Sequence, residues 1–188
     1  MSFIALMAAV MCVIGPFSIP LPVTAVPISF TNLIVCFTVY LLGLRAGTLS
    51  YIIYLLLGLV GLPVFSGFTG GVSKIAGPTG GYLIGMIFLA LICGAFAKRF
   101  HGGRLLYAVG MTLGIAVSYA LGTAWLAYQS NLTFGAALFA GVIPFIPGDA
   151  IKIVVLTFVC LPAKRLIARA APEFGRRGGE GSGFQYRG

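Results

Sequence analysis

The sequence contains few charged residues and very few acidic ones. Charged side chains make up 8% of its 188 residues, and only three residues are Asp or Glu. A soluble globular domain carries about 25% charged residues, so this chain has too few to cover a water-exposed surface. Hydrophobic residues make up 60% of the chain. The composition therefore predicts an integral membrane protein.

Residues that commonly bind metals or perform catalysis are also scarce. The chain has one histidine, and its four cysteines lie in apolar stretches without a Cys-x-x-Cys spacing. This pattern favours neither a disulfide framework nor a metal site. No nucleophile stands near a general base in the sequence. We therefore expect no metal, no catalytic residues and no enzymatic activity.

The formal net charge of +9 would make nucleic acid the first partner to consider for a soluble protein. However, no run of basic residues alternates with aromatic residues, as a single-strand binding platform requires. Most of the basic residues fall instead in short loops or near the C-terminus. This placement is typical of membrane proteins that follow the positive-inside rule, and it argues against nucleic-acid binding.

Six apolar stretches are separated by Gly, Pro or charged residues, so we predict an all-α, polytopic membrane protein with six transmembrane helices. The stretches are residues 2–15, 27–43, 47–62, 80–97, 104–128 and 149–170. The first lacks the basic segment and cleavage site of a signal peptide. We expect residues 1–172 to form the membrane domain and residues 173–188 a disordered cytoplasmic tail.

The basic residues also predict an orientation. If the N-terminus is cytoplasmic, a six-helix chain places Lys74 outside and leaves Lys152 within an apolar run. The remaining basic residues then all fall on the cytoplasmic side: Arg45, Lys98, Arg99, Arg104, Lys164, Arg165, Arg169, Arg176, Arg177 and Arg187. This asymmetry predicts an even number of crossings with both termini in the cytoplasm.

The three outer connections, residues 16–26, 63–79 and 129–148, are rich in Pro or Gly and contain few charges. Irregular backbone persists within a membrane only where protein covers it or where it lines a cavity. We therefore predict long re-entrant outer loops that roof a ligand cavity. Ordinary external turns are the alternative.

Asp149 is the only acidic residue before residue 173, and it stands three residues before Lys152. This spacing puts both side chains on one helix face. Each charge near the bilayer centre costs about 2.5–3.5 kcal/mol, so such residues face a cavity or a partner. We interpret the pair as a binding site for a ligand of mixed polarity. A helix N-cap would explain the acid, but a cation in the first turn opposes the helix dipole.

A glycine-rich segment, residues 58–85, includes the sequence GPTGGYLIG at residues 77–85. It lacks the Gly-x4-Gly-Lys-[Ser/Thr] pattern of a phosphate-binding loop. Because glycine permits close backbone approach, we predict a lid over the pocket, with Thr79, Gly71 and Tyr82 among the substrate-binding residues. Tyr82 would supply a flat wall and one hydroxyl. The alternative is a tight re-entrant turn with Tyr82 as an interfacial aromatic.

The first apolar stretch contains a pair of small residues, Ala5 and Ala9, separated by three positions. Such pairs let a second helix approach closely. The second helix could belong to the same chain or to another subunit, and the spacing alone does not distinguish these cases.

Several motifs together resemble those of the BioY family, the biotin-specific substrate-binding (S) components of energy-coupling factor (ECF) transporters. They cover roughly residues 5–165. The motifs are IPLP at 19–22, VPI at 26–28, LG at 42–43 with Gly47, GLPVF at 61–65, GPTGGYLIG at 77–85, and IPGD at 146–149 with Lys152.

The resemblance implies high-affinity capture of biotin from outside a bacterial cell membrane, with biotin as the transported ligand and no catalytic cofactor. It implies that Asp149 and Lys152 are polar ligands of biotin. It also implies that Ala5 and Ala9 dock a transmembrane coupling (T) subunit, which carries two cytoplasmic ATPase subunits.

One segment departs from the family pattern. After residues 26–28 the family usually has Thr-x-Gln, whereas this chain has Ser29, Phe30, Thr31 and Asn32. We therefore assign no binding role to the second helix. Two alternative functions remain open: an S component for another small vitamin, and a stand-alone small-solute carrier or pore. A pore should place polar residues along several helices, whereas the clear intramembrane pair lies at a single level.

Overall fold

A computed structural model describes residues 2–20, 26–99 and 104–170 of the chain. The predicted tail, residues 173–188, lies outside this part. The helices are α1 (Ser2–Ile14), α2 (Thr31–Leu59), α3 (Val72–Ala76), α4 (Gly80–Arg99), α5 (Arg104–Ser130), α6 (Phe134–Gly141) and α7 (Ile146–Ala170). A 3-10 turn, Ile143–Phe145, precedes α7, and two short strands, β1 (Ser18–Ile19) and β2 (Ile28–Ser29), pair antiparallel.

The described residues contain four helical segments that are long and apolar enough to cross a membrane. They are Thr31–Leu59, Gly80–Arg99, Leu105–Ser130 and Phe134–Cys160. The prediction of a mostly helical, multi-pass membrane protein is confirmed at this level. Helix α1 has 13 residues, which gives it a length of about 20 Å against a hydrocarbon core of about 30 Å.

Helix α2 contains most of the second and of the third predicted stretch, and it is interrupted at Gly43. This residue has φ 81° and ψ 175°, a combination that essentially only glycine adopts. A Cβ atom on Gly47 would lie 2.6 Å from the Cα of Val39, although residues eight apart in a straight helix are separated by about 12 Å. The chain therefore reverses at Gly43, and residues 31–42 pack against residues 44–59.

Buried tyrosines connect the helices across the core. The Tyr51 hydroxyl of α2 donates to the Leu83 carbonyl of α4 at 2.7 Å. The Tyr107 hydroxyl of α5 donates to the Cys36 carbonyl of α2. A buried hydroxyl without a partner is costly, so these bonds favour one relative position of the helices. They hold α2, α4 and α5 together.

The connection between α2 and α4 packs onto the helices. Phe65 is fully buried, and its ring occupies the place where a Cβ on Gly58 would lie. The Gly67 amide donates to the Pro16 carbonyl at 2.9 Å. These contacts fix the connection against the ends of α1 and α2. The connection between α5 and α7 contains helix α6, although residues 129–148 were predicted to form an outer loop.

We predict that Gly47→Ala destabilises the protein by about 1–3 kcal/mol, the usual cost of overpacking. The added methyl group would collide with the Val39 backbone, which cannot move aside like a flexible side chain. Thermal unfolding of the detergent-purified variant measures the effect. Gly135→Ala is the matched control, because a Cβ at this position meets no atom within 4 Å. Equal unfolding midpoints for the two variants would contradict the close packing of Gly47 against Val39.

Candidate functional site

A cavity of about 70 Å³ lies where α2, α4 and α7 begin. Its wall is mostly apolar. The connections before α2, between α2 and α4, and between α5 and α7 all contribute to this wall, as does Tyr119 of α5. Asp149, Lys152, Thr79 and Tyr82 are among the lining residues. The fold thus gathers four of the five predicted substrate-binding residues around one space.

Lys152 uses all three of its ammonium hydrogens within the protein. Its Nζ atom lies 3.1 Å from Asp149 Oδ1, and the side chains of Lys152 and Asp149 are only 12% and 7% exposed. The same atom donates to the Ser29 carbonyl at 2.8 Å and to Asn32 Oδ1 at 3.1 Å. An ammonium group has three hydrogens to donate, so none remains for a further acceptor without an exchange of partners.

Asp149 is held by side chains from three helices. Its Oδ1 atom accepts from Lys152 on α7 and from Asn32 Nδ2 on α2, the latter at 3.0 Å. Its Oδ2 atom accepts from the Tyr119 hydroxyl of α5. A buried carboxylate requires such compensation. We refer to Ser29, Asn32, Tyr119, Asp149 and Lys152 as the polar cluster.

The polar cluster includes residues that sequence reasoning missed. Asn32 belongs to the helix that we assigned no binding role, because it replaces a longer glutamine of the family pattern. The shorter side chain of Asn32 still reaches both charged residues, because Asp149 and Lys152 lie within hydrogen-bonding distance of its amide. Tyr119 gave only a weak signal in the sequence, a phenol inside a long apolar stretch. Such a hydroxyl usually finds a partner when buried.

Tyr82 and Thr79 line the cavity in different ways. The Tyr82 ring packs against Gly122, where a Cβ would lie 2.3 Å from the ring. The Tyr82 hydroxyl donates to the Gly141 carbonyl at 3.1 Å. The Thr79 carbonyl accepts from the Tyr82 and Leu83 amides and so begins α4. Tyr82 thus forms a fixed wall of the cavity.

Gly71 does not line the cavity. It stands directly before α3 with φ 89°, a left-handed value that favours glycine. Its amide donates to the Gly58 carbonyl at 2.7 Å. The structure thus gives Gly71 a place in the backbone of the connection, outside the group of residues that meet at the polar cluster.

Ala5 and Ala9 lie on the outer surface of α1. Both are exposed, whereas Ala8 and Met11 on the same helix are buried. Helix α1 packs against α2. The small-residue pair therefore forms an accessible strip on α1 that the described residues do not cover.

The lining of the cavity combines one compensated ion pair with a mostly apolar wall. Within residues 2–20, 26–99 and 104–170, no group of three or more His, Cys, Asp or Glu side chains could hold a metal ion. The carboxylate and the ammonium of the polar cluster neutralise each other, and the surrounding wall is mostly apolar. Such a site suits a small molecule that combines an apolar body with hydrogen-bonding groups.

Comparisons with known proteins agree on one family. The BioY family matches residues 1–169 of the chain. The biotin transporter BioY of Thermotoga maritima is 37% identical over 148 residues, which cover 79% of this chain and 86% of the relative. The biotin transporter BioY of Rhizobium etli is 41% identical over 165 residues, which cover 80% of this chain and 85% of the relative.

A solved structure is similar along most of the chain. The crystal structure of the S-component for biotin from an ECF-type ABC transporter superposes with a TM-score of 0.80 and 32% sequence identity. The similarity covers 88% of each chain. The two proteins therefore share one fold over most of their lengths.

We predict that Tyr119→Phe lowers stability in the absence of ligand by about 1–3 kcal/mol, because the buried Asp149 carboxylate loses a hydrogen-bond donor. Thermal unfolding in detergent measures the change. Tyr128→Phe serves as the control, because Tyr128 is 79% exposed. An unchanged unfolding midpoint for Tyr119→Phe would show that the hydroxyl does not support the acid.

Proposed function

The chain belongs to the BioY family, and from this premise we propose that it captures biotin for uptake as the S component of an ECF-type transporter. Proteins of this family are transporters and not enzymes, so biotin is the transported ligand. The observation that carries the proposal is the buried Asp149–Lys152 pair at the wall of a mostly apolar cavity.

The polar cluster fits the chemistry of biotin. The cyclic urea of biotin offers two N–H donors and one carbonyl acceptor, and the polar cluster supplies a carboxylate, an amide and an ammonium. The fused sulfur ring and aliphatic chain of biotin match the apolar part of the wall. Exclusion of water from such a site strengthens each polar contact.

Ligand entry requires an exchange of hydrogen bonds. Every hydrogen of the Lys152 ammonium is already paired within the protein. An incoming ligand must therefore replace an internal partner, and a ligand that leaves a buried group unpaired loses about 1–3 kcal/mol. This requirement favours ligands that provide donors and an acceptor together, as a cyclic urea does.

The cavity must also widen when biotin enters. A volume of about 70 Å³ holds five to seven water molecules at roughly 10–15 Å³ each, which is fewer atoms than biotin contains. The wall contains Phe65 and Ser66 of the connection before α3 and Phe145 after α6. We propose that these connections, the re-entrant outer loops, move outward to admit the ligand.

We further propose six membrane crossings with the cavity facing outward. The crossings are α1, the two halves of α2, α4, α5 and α7. Leu44 lies against Gly94, so the reversal at Gly43 and the basic end of α4 share one end of the bundle. The positive-inside rule assigns that end to the cytoplasm. The cavity lies at the opposite end, where α2 and α4 begin, and both termini are then cytoplasmic in a bacterial cell membrane.

The subunit composition follows from the family. We propose that the exposed strip at Ala5 and Ala9 docks a transmembrane T subunit, and that two cytoplasmic ATPase subunits bound to the T subunit supply the energy. Small residues permit the close helix approach that such docking requires. The strip is exposed in the isolated chain, as an unoccupied docking surface should be.

We predict that Lys152→Ala and Asp149→Ala each weaken biotin binding at least tenfold, because each leaves its former partner buried and unpaired. Equilibrium binding of labelled biotin to purified protein measures the loss, and gel filtration checks folding. Lys98→Ala, at the cytoplasmic end of α4, is the control. Retention of full affinity by both site variants would reject the proposed site.

A competition assay tests the identity of the ligand. Displacement of labelled biotin by thiamine or riboflavin more readily than by unlabelled biotin would reject biotin as the ligand.

We predict that Ala5→Trp and Ala9→Trp abolish co-purification with the T subunit and leave biotin binding unchanged. A large ring on the strip prevents close helix packing but occupies exposed positions of α1 outside the protein core. Ala116→Trp, at an exposed position on α5, provides a control of equal size. Normal complex formation by both α1 variants would place the docking surface elsewhere.

A further inference from the structure

A second lysine lines the cavity. Lys74 lies on α3 in the outer connection, and its side chain is half-buried. The positive-inside rule predicts that Lys74 lies on the outer side of the membrane. In the folded chain it faces the same space as Asp149, Lys152 and Tyr82. A charged lysine in a mostly apolar cavity is energetically unfavourable, so its position there calls for a physical explanation.

The charges of the cavity do not balance. Two lysines and one aspartate line it, so the sum of their formal charges is +1. Asp149 and Lys152 form an ion pair at 3.1 Å, and this is the only ion pair among the described residues. Asp149 is also the only acidic residue in that part of the chain. Of the two lysines that line the cavity, Lys74 is therefore the one without a counter-charge among the described residues.

Burial has already removed part of the water around Lys74. This loss of hydration lowers the pKa of the Lys74 ammonium, because a low-dielectric surrounding disfavours its charged form. An anion that enters the cavity would restore the lost stabilisation. The polar cluster cannot take that anion as readily, since an incoming carboxylate would lie beside the buried Asp149 carboxylate, and like charges repel.

We propose that Lys74 binds the carboxylate of biotin, while the ureido ring lies at the polar cluster. This inference rests on the proposed function and adds the orientation of the ligand. The urea end is neutral and exchanges hydrogen bonds with Asn32, Asp149 and Lys152. The carboxylate end brings the single negative charge that makes the occupied cavity neutral.

The test compares biotin with its neutral primary amide, biotinamide, by equilibrium binding to the purified full-length chain. The wild-type protein should bind biotin about tenfold more tightly than biotinamide, because a charge-assisted hydrogen bond is replaced by a neutral one. Lys74→Gln should bind the two ligands equally, with an affinity close to that of wild type for biotinamide. Lys74→Arg should keep the preference for biotin, and Lys74→Glu should reverse it.

Lys98→Gln provides a matched control with the same substitution outside the cavity, and it should keep the wild-type preference. A preference for biotin that persists in Lys74→Gln overturns the proposal. A preference that is lost in Lys152→Gln but kept in Lys74→Gln also overturns it, because the ligand then lies in the opposite orientation. If wild type binds neither ligand, the proposed function itself fails. Binding of both ligands by wild type without a preference rejects only the role of Lys74.

Discussion

The burial of Asp149 is the constraint on which the site depends. A carboxylate that is almost fully removed from water must receive hydrogen bonds and a counter-charge, and here these come from Asn32, Tyr119 and Lys152. The partners belong to α2, α5 and α7, so the charge is stable only when these three helices converge. The same convergence leaves the cavity between them. The polar cluster and the packing of these helices therefore have one physical origin.

Close packing of the helices rests on glycine at a few positions. The reversal at Gly43 lets the first half of α2 return beside the second, with Val39 against Gly47. Gly122 gives the Tyr82 ring its place at the cavity wall. A larger residue at Gly47 or Gly122 would push apart elements that the site needs together. These glycines allow the helices and connections to meet closely around the cavity.

The polar cluster is satisfied internally, and under the proposed function this determines which ligands it can select. Lys152 has no spare donor, and Asp149 accepts on both oxygens. A ligand of the wrong polarity breaks these bonds without replacing them, whereas a cyclic urea replaces both a donor and an acceptor. Lys74 adds a different criterion, because its charge is left without a counter-charge within the described residues. Hydrogen-bond exchange and charge would then each select a different end of the molecule.

The sequence by itself determined what depends on local composition and spacing. The scarcity of charge predicted a membrane protein, and the three-residue spacing of Asp149 and Lys152 placed both on one helix face. The family motifs pointed to biotin. Only the tertiary structure decided which residues complete the site: Asn32 lies 117 positions from Asp149, and Tyr119 lies 30 positions away. Their contacts depend on the angles and depths at which helices pack, and these arise from the fit of many side chains at once. Gly71 shows the limit of local motifs. It belongs to the glycine-rich segment that predicted a binding role, yet it lies in a backbone turn outside the cavity wall.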